Sequence, residues 1–323
     1  MKLFLRITLL LFAMQISLNA RAIERDTSYT AFQVWKKNIK KYPSIKIVNS
    51  VNDTSLTEFH DLVYTAIPNK NSENRKLHLD IIRPSNKKLL PALIMIHGGG
   101  WRSGDKSLEL PMAQQIALKG FVTIPVEYRL STEAKYPAAV NDIKTAIRWL
   151  KVNANQYGID TTRIAIEGES AGGQLATLVA MTNGIEQFES KYCKLRSTSK
   201  VQAVINVDGV VDFLAPLTLN TPQNAESAGP FWLGGVFEDK PLTWKEASPI
   251  FWVNEHAVPV LFIASSQARF QAGRGEMIDL LELNGIYYEK YRFEDSPHSF
   301  WLLDPWFCPT VDYCVNFLNK VFK

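Results

Sequence analysis

The sequence predicts an α/β fold built on a doubly wound, mostly parallel sheet. Short, continuous apolar runs, as at residues 92–96, are typical of strands that are buried on both faces. These runs alternate along the chain with longer segments whose apolar residues recur at helical spacing, as at residues 138–153. Strands separated by helices indicate a parallel sheet covered by helices on both sides.

The elements follow one another in a regular order. After a short amphipathic helix at residues 29–41 and a polar connection, strands are predicted at residues 76–82, 92–96, 121–126, 164–166, 201–207, 259–263 and 287–293. Helices are predicted at residues 138–153, 171–181, 277–283 and 310–321. Residues 214–248 carry prolines and no clear period, so we expect a loop or small lid there.

Residues 1–22 have the pattern of a secretory signal peptide. Lys2 and Arg6 form a basic start, an apolar stretch follows at residues 7–18, and residues 20–22 read Ala-Arg-Ala, a small-x-small cleavage pattern. The apolar stretch is shorter than the ~20 residues that a membrane span needs. We therefore expect removal rather than anchoring, no stable membrane insertion, and a periplasmic or secreted protein.

The remaining chain, residues 23–323, is expected to form one domain, with residues 23–60 as an N-terminal extension. It carries 33 basic and 32 acidic residues, because the segment removed contains three basic residues and no acidic one. This net charge of +1 gives no electrostatic reason to expect binding to nucleic acid or to an anionic membrane surface.

The cysteines and histidines do not indicate a disulfide framework or a metal centre. An odd number of cysteines (Cys193, Cys308 and Cys314) leaves at least one thiol unpaired within a monomer, and we predict no disulfide. No Cys/His spacing resembles a zinc site. The chemistry predicted below requires neither a metal nor a cofactor.

Residues 168–172 read Gly-Glu-Ser-Ala-Gly and fit the pattern G-x-S-x-G between a predicted strand and a predicted helix. At such a junction the serine is held in a strained backbone conformation, which presents its hydroxyl at the C-terminal edge of the sheet. The dipole of the following helix favours negative charge that develops there. A glycine-rich turn that only joins two elements is the alternative, but this placement favours Ser170 as a nucleophile.

A second motif, His-Gly-Gly-Gly-Trp at residues 97–101, directly follows a predicted buried strand. Consecutive glycines let backbone N–H groups approach a substrate oxygen without interference from a side chain. Acyl transfer builds negative charge on that oxygen, and fixed N–H donors stabilise it. We interpret His97 itself as a packing residue.

These two motifs resemble the hormone-sensitive-lipase-like branch of the α/β-hydrolases, which includes many carbohydrate esterases. Tyr-Arg-Leu at residues 128–130 and Tyr-Pro-Ala-Ala-Val-Asn-Asp at residues 136–142 are also similar to that branch. The resemblance implies an α/β-hydrolase fold. It also implies that the N–H groups of Gly99, Gly100 and Ala171 form the oxyanion hole.

The general base is expected last in sequence order, on the loop after the final strand. His298 occupies that loop, in the sequence Asp-Ser-Pro-His at residues 295–298. The histidines that come before the core sheet, within an early strand or just before a strand are poorly placed: His60, His78 and His256. A surface histidine is the alternative interpretation of His298.

The carboxylate that would orient this histidine is less clearly indicated. In most of the branch an aspartate follows the strand that corresponds here to residues 259–263, but residues 264–269 read Ala-Ser-Ser-Gln-Ala-Arg. Asp208 stands at the end of the preceding predicted strand, and a carboxylate there would orient the imidazole equally well. We predict Asp208, with three other carboxylates as alternatives: Asp212, Glu276 and Asp295.

Aromatic residues and an arginine indicate where substrate could bind. Trp101 adjoins the glycine motif and Trp301 follows His298 closely, and aromatic faces suit sugar rings, although such clusters more often belong to a core. Arg269 could pair with a carboxylate or with sugar hydroxyls, or could form a structural salt bridge. These three residues are the candidate substrate-binding residues.

Further stretches are similar to exported Bacteroidetes polysaccharide esterases, over nearly the whole chain after residue 22: residues 27–30, 41–43, 75–80, 268–274 and 296–301. This resemblance implies an esterase that removes acetyl or methyl groups from pectin- or xylan-type glycans. The residues by themselves indicate only a serine esterase. Two alternatives stay open: an exported aminopeptidase or amidase that uses the same serine, and a non-catalytic glycan-binding relative.

Overall fold

The structure is a computed structural model that describes residues 26, 28–68, 73–86, 88–221 and 223–323. The predicted signal peptide, residues 1–22, lies outside the described residues. Among the described residues, none of the helices is both long and apolar enough to cross a membrane.

The described strands form one large sheet and one small sheet. In chain order they are β1 (Lys46–Ile47), β2 (Leu56–Ile67), β3 (Arg75–Pro84), β4 (Leu90–Ile96), β5 (Val122–Val126), β6 (Ile159–Glu169), β7 (Ala203–Val207), β8 (Val260–Ala264), β9 (Tyr288–Arg292) and β10 (Leu303–Asp304). The large sheet has the order β2-β3-β5-β4-β6-β7-β8-β9, and β1 pairs with β10.

The large sheet is parallel except for the pairings of β3, near one side. β3 runs antiparallel to both β2 and β5, whereas every neighbouring pair from β5 across to β9 is parallel. The carboxyl ends of β6, β7 and β8 therefore lie side by side at one edge of the sheet, where ligands bind in open α/β sheets. The predicted mostly parallel sheet is confirmed.

Helices cover both faces of this sheet. They are α1 (Ala31–Asn38), α2 (Leu110–Leu118), α3 (Ala138–Val152), α4 (Ala154–Tyr157), α5 (Ala171–Met181), α6 (Pro216–Leu219), α7 (Ala228–Leu233), α8 (Pro241–Glu246), α9 (Arg274–Leu283) and α10 (Phe307–Val321). Short 3₁₀ helices include Lys106–Glu109, Ala268–Gln271 and Phe300–Leu302.

Successive residues of β4 point into two separate hydrophobic cores. Ile94 and Ile96 pack in one core with α3 and α5, and Leu93 and Met95 pack in the other with α2 and α10. This alternation is the period of two that a strand imposes on its side chains. All residues of α5 are buried, which explains why its sequence is rich in alanine and leucine. The predicted doubly wound arrangement is confirmed.

Two of the longer elements were not predicted from the sequence. The connection before residue 76 contains β2, whose register shifts between Phe59 and Leu62 and again between Val63 and Thr65. Each shift interrupts the alternation of polar and apolar residues, so the segment lacks a strand period. The other element is α2, a helix of 9 residues that is too short for its spacing to stand out.

Candidate active site

Ser170 stands on a sharp turn between β6 and α5. Its backbone dihedrals, φ 54° and ψ −116°, lie in a sparsely populated region, at a typical cost of about 1–3 kcal/mol. The N–H of Ser170 donates to the carbonyl of Val207 at 2.8 Å, which ties the turn to the end of β7. The strain therefore persists because both flanking elements are fixed, and the hydroxyl is held at the carboxyl edge of the sheet.

The glycines around Ser170 are required by close packing. A Cβ on Gly172 would lie 1.8 Å from the carbonyl oxygen of Ile96, and a Cβ on Gly168 would lie 2.4 Å from the carbonyl oxygen of Gly172. No larger residue fits at either position without moving a backbone. The G-x-S-x-G pattern thus lets α5 start directly against β6 and the end of β4.

His298 and Asp208 complete a hydrogen-bonded chain that begins at Ser170. The Nε2 atom of His298 lies 2.8 Å from Oγ of Ser170, and its Nδ1 atom lies 2.7 Å from Oδ2 of Asp208. Asp208 is fully buried, and its Oδ1 accepts a hydrogen bond from the N–H of Ser265 at 3.0 Å. The structure therefore brings together the three residues that the sequence predicts as nucleophile, base and acid.

The alternative carboxylates lie elsewhere. Asp212 accepts a hydrogen bond from the N–H of Leu214, and Asp295 accepts one from the hydroxyl of Tyr42. Glu276 is exposed in the first turn of α9. None of the three forms a hydrogen bond with His298 in the described residues, so the geometry selects Asp208.

The surroundings of His298 favour its neutral form. Burial lowers the pKa of the imidazole, and the hydrogen bond to Asp208 opposes that shift; the positive charges of Arg269 and Lys37 lower the pKa further. Since an ionised carboxylate can only accept, Nδ1 carries the proton and donates to Asp208. Nε2 is then free to accept the proton of the Ser170 hydroxyl.

Of the three residues predicted for the oxyanion hole, two lie beside Ser170 and one does not. Gly100 and Ala171 line the same cavity as Ser170, whereas Gly99 does not. The φ of +120° at Gly99 shapes the turn that presents Gly100, and its carbonyl accepts from the N–H of Ser103 at 3.0 Å. Neither Gly99 nor Gly100 donates a backbone hydrogen bond to another described residue, and Gly100, which lines the cavity, can therefore offer its N–H to a substrate oxygen.

A cavity of about 400 Å³ opens beside Ser170. Its floor contains Trp101, whose indole stacks on Trp232 at 4.8 Å and donates to Oε1 of Gln174 at 2.9 Å. Arg269 stands on another side of the cavity. The remaining wall comes largely from the segment predicted as a loop or lid, which contains α6, α7 and α8; its polar lining residues are Thr218, Thr221, Gln223 and Ser227.

Trp301 is not a substrate-binding residue in this geometry, contrary to the sequence prediction. Its side chain is only 2% exposed and is absent from the residues that line the cavity. Its ring instead meets the His298 ring edge-on, at 5.2 Å and 89°. The short 3₁₀ helix Phe300–Leu302 turns Trp301 into the core behind the histidine, a contact that sequence spacing does not reveal.

Phe270 belongs to the site but was not singled out from the sequence. Its ring stacks on the imidazole of His298 with centroids 3.3 Å apart and planes 7° apart, and it also lines the cavity. The only indication in the sequence was that the loop after residue 263 lacks the aspartate that most of the resembled branch has there.

Three buried glutamates form a separate cluster beneath the catalytic edge. Carboxylate oxygens of Glu109, Glu167 and Glu169 lie within 4.8 Å of one another, a spacing that a cation could use. Burial raises the pKa of all three, that of Glu109 to about 7. Both carboxyl oxygens of Glu167, and one each of Glu109 and Glu169, lack a hydrogen-bond partner among the described residues. These surroundings favour the protonated, uncharged form of the three acids.

This fold and this arrangement of serine, histidine and aspartate define the class of α/β-hydrolase proteins with a Ser-His-Asp triad. Residues 79–269 match the BD-FAE family model, and the chain belongs to that family. The match spans both glycine motifs, Ser170 and Asp208.

Several named esterases are similar in sequence. Esterase LipC of Mycobacterium tuberculosis is 28% identical over 251 residues, which cover 73% of this chain and 60% of that protein. The probable carboxylic ester hydrolase LipM of the same organism is 35% identical over 143 residues, covering 43% of this chain and 33% of that protein. The chain thus spans less than two thirds of the length of these relatives.

Solved structures of similar shape include two proteins named for carbohydrate esterase activity. A truncated carbohydrate esterase from gut microbiota has a TM-score of 0.70 and 24% identity, covering 84% of this chain and 98% of that one. A bifunctional GH43-CE protein of Bacteroides eggerthii has a TM-score of 0.69 and 24% identity, covering 82% of this chain and 38% of that one. At this level of identity the similarity establishes the fold alone.

Proposed function

We propose that this protein is a serine esterase with Ser170 as nucleophile, His298 as general base and Asp208 as the acid that orients it. The hydrogen-bonded chain of these three side chains, beside the cavity that Gly100 and Ala171 also line, carries the proposal. The sequence relatives named as esterases support the same reaction class.

Acylation begins when Nε2 of His298 takes the proton of the Ser170 hydroxyl as its oxygen attacks the acyl carbon of the ester. The backbone N–H groups of Gly100 and Ala171, with Gly99 as a third candidate donor, stabilise the resulting oxyanion. Asp208 stabilises the imidazolium. The tetrahedral intermediate then collapses: the C–O bond to the alcohol breaks, and His298 donates its proton to the departing alkoxide.

Deacylation repeats these steps with water. His298 removes a proton from a water molecule whose oxygen attacks the acyl-serine carbon, and the same N–H groups hold the second oxyanion. The bond to Ser170 breaks, and the proton on His298 returns to the serine oxygen. One ester and one water thus become one alcohol and one carboxylic acid, with the enzyme unchanged.

We infer that the ester belongs to a glycan of the pectin or xylan type. The guanidinium of Arg269 lies 4.8 Å from the Phe270 ring centroid and forms no ion pair with another described residue, so it is available to a uronate or to sugar hydroxyls. Hydroxyl and amide side chains on the facing wall suit a polyhydroxylated ligand: Thr218, Thr221, Gln223 and Ser227. Residues 214–248 would act as the lid that holds it.

We also propose that the protein is exported to the periplasm or secreted. The basic start, the apolar stretch and the cleavage pattern within residues 1–22 support this location. A polymeric plant glycan would be met outside the cytoplasm, so the proposed substrate and the proposed location agree. The remaining chain, residues 23–323, would act as one domain.

The proposal is tested by measuring acetate and methanol released from panels of acetylated pectin and xylan. We expect the wild-type protein to release one of them and Ser170→Ala to release neither. Faster turnover of aminoacyl arylamides than of aryl acetates would instead identify an amidase or aminopeptidase. Glycan binding without serine labelling by a fluorophosphonate would identify a non-catalytic relative.

A further inference from the structure

The imidazole of His298 is contacted on four sides. Asp208 and Ser170 hold its two nitrogens, Trp301 meets it edge-on, and Phe270 covers one face at 3.3 Å between ring centroids. The two hydrogen bonds fix the positions of Nδ1 and Nε2. They do not fix the rotation of the ring plane about the axis through these two nitrogens. A flat ring in parallel contact restricts this tilt.

We propose that Phe270 is a positioning residue for His298, which fixes the plane of the imidazole and screens it from water. This role rests on the proposed function, because it matters only if His298 acts as the base. Phe270 also lines the cavity, so the screened face of the imidazole is the one that would otherwise meet solvent there.

The loop that carries Phe270 is held against Asp208 and against the segment that leads to His298. At its start, the N–H of Ser265 donates to Asp208 at 3.0 Å. The hydroxyl of Ser266 donates to the carbonyl of Ser296, two residues before the histidine, at 2.9 Å. The side chain of Gln271 donates back to the Ser265 carbonyl at 3.2 Å. The loop that supplies the acid in most of the resembled branch therefore supplies an aromatic wall here.

Two effects of Phe270 on His298 oppose each other. Burial disfavours the charged imidazolium, whereas the face of an aromatic ring attracts a cation. The charged groups that act on the imidazole are Asp208, which raises its pKa, and Arg269 and Lys37, which lower it. Burial is the largest influence, so removal of the Phe270 ring should raise the pKa of His298 as water reaches the imidazole.

Three variants test this role: Phe270→Ala, Phe270→Tyr, and Gln267→Ala as a control on the same loop with an exposed side chain. We expect Phe270→Ala to lower kcat on a small aryl acetate by about 10- to 100-fold, the range that a slightly misplaced group costs. The acid limb of the kcat/KM profile should move to higher pH. Phe270→Tyr should restore both properties, and Gln267→Ala should change neither.

A second readout does not depend on turnover. The pKa of His298, followed by NMR of the imidazole protons in Ser170→Ala and in Ser170→Ala combined with Phe270→Ala, should be higher in the double variant. If the wild-type protein hydrolyses no ester but the pKa difference is present, the result counts against the proposed function and not against the stacking of Phe270 on His298. An unchanged pKa, or a loss of kcat that Phe270→Tyr does not restore, would overturn the role of Phe270.

Discussion

The Nδ1 atom of His298 lies 2.7 Å from Oδ2 of Asp208, an aspartate that directly follows β7 rather than β8. Because β7 and β8 are parallel neighbours, their carboxyl ends lie beside each other, and a carboxylate after either strand can reach the same imidazole. The loop after β8 contributes to the acid through its backbone, since the N–H of Ser265 donates to Asp208. Asp208 can therefore orient His298 from the end of β7.

Asp208→Asn is expected to lower kcat by about 10⁴, because an amide at this position favours the wrong imidazole tautomer. The melting temperature should change little, since the side chain keeps its size. Steady-state kinetics on an aryl acetate and thermal unfolding measure the two effects. Glu276→Gln and Asp295→Asn are the matched controls; a loss in either of them as large as that in Asp208→Asn would contradict the assignment.

The positions of Ser170 and His298 could be predicted because local sequence fixes them, whereas the aromatic rings that contact His298 could not. Gly168 and Gly172 mark the turn at Ser170, and His298 follows the last strand of the large sheet. Phe270 and Trp301 both contact the imidazole, but their orientations depend on how two 3₁₀ helices pack, which no periodic pattern records. β2 could not be predicted for a similar reason: its bulges interrupt the alternation of polar and apolar residues that indicates a strand.

The acid limb of the kcat/KM profile is expected below pH 6.5, since His298 must be neutral to act as a base and burial lowers its pKa from that value. Arg269→Gln should move the limb to higher pH, because it removes a positive charge that lowers this pKa. Lys119→Gln is the matched control, since it removes one positive charge at an exposed position between α2 and β5, away from the strands β7 to β9 that position His298. Equal shifts in the two variants would contradict this explanation.

The free energy of unfolding is expected to fall as pH rises through about 7. Burial raises the pKa of Glu109, Glu167 and Glu169 above the ordinary value of 4.5, that of Glu109 to about 7. A raised folded-state pKa gives stability that is complete below the unfolded-state pKa and is lost as pH passes the folded-state value.

Chemical denaturation between pH 5 and 8 measures this dependence. Glu167→Gln should reduce the slope because it removes one ionisable group from the cluster. Glu238→Gln, at an exposed position with no hydrogen bond or ion pair among the described residues, is the control and should keep the wild-type slope. A stability that is flat or increases over this range in the wild type would show that the three acids are not held protonated.

The mature N-terminus is expected at Ile23, because residues 20–22 provide the small-x-small pattern after the apolar stretch. N-terminal sequencing of protein recovered from the periplasm or medium measures it. Replacement of Ala20 and Ala22 by bulky residues should block or displace the cleavage. Exported protein that retains residues 1–22 would contradict the signal-peptide interpretation.

The central claim, that Ser170 forms the acyl-enzyme, is tested most directly by the kcat of Ser170→Ala on a simple acetate ester. Loss of a triad nucleophile costs several orders of magnitude, so we expect activity at least about 10³-fold below wild type. The far-UV circular dichroism spectrum and melting temperature should stay close to wild type, which would exclude unfolding as the cause. Residual activity within about tenfold of wild type, in a folded variant, would contradict the account.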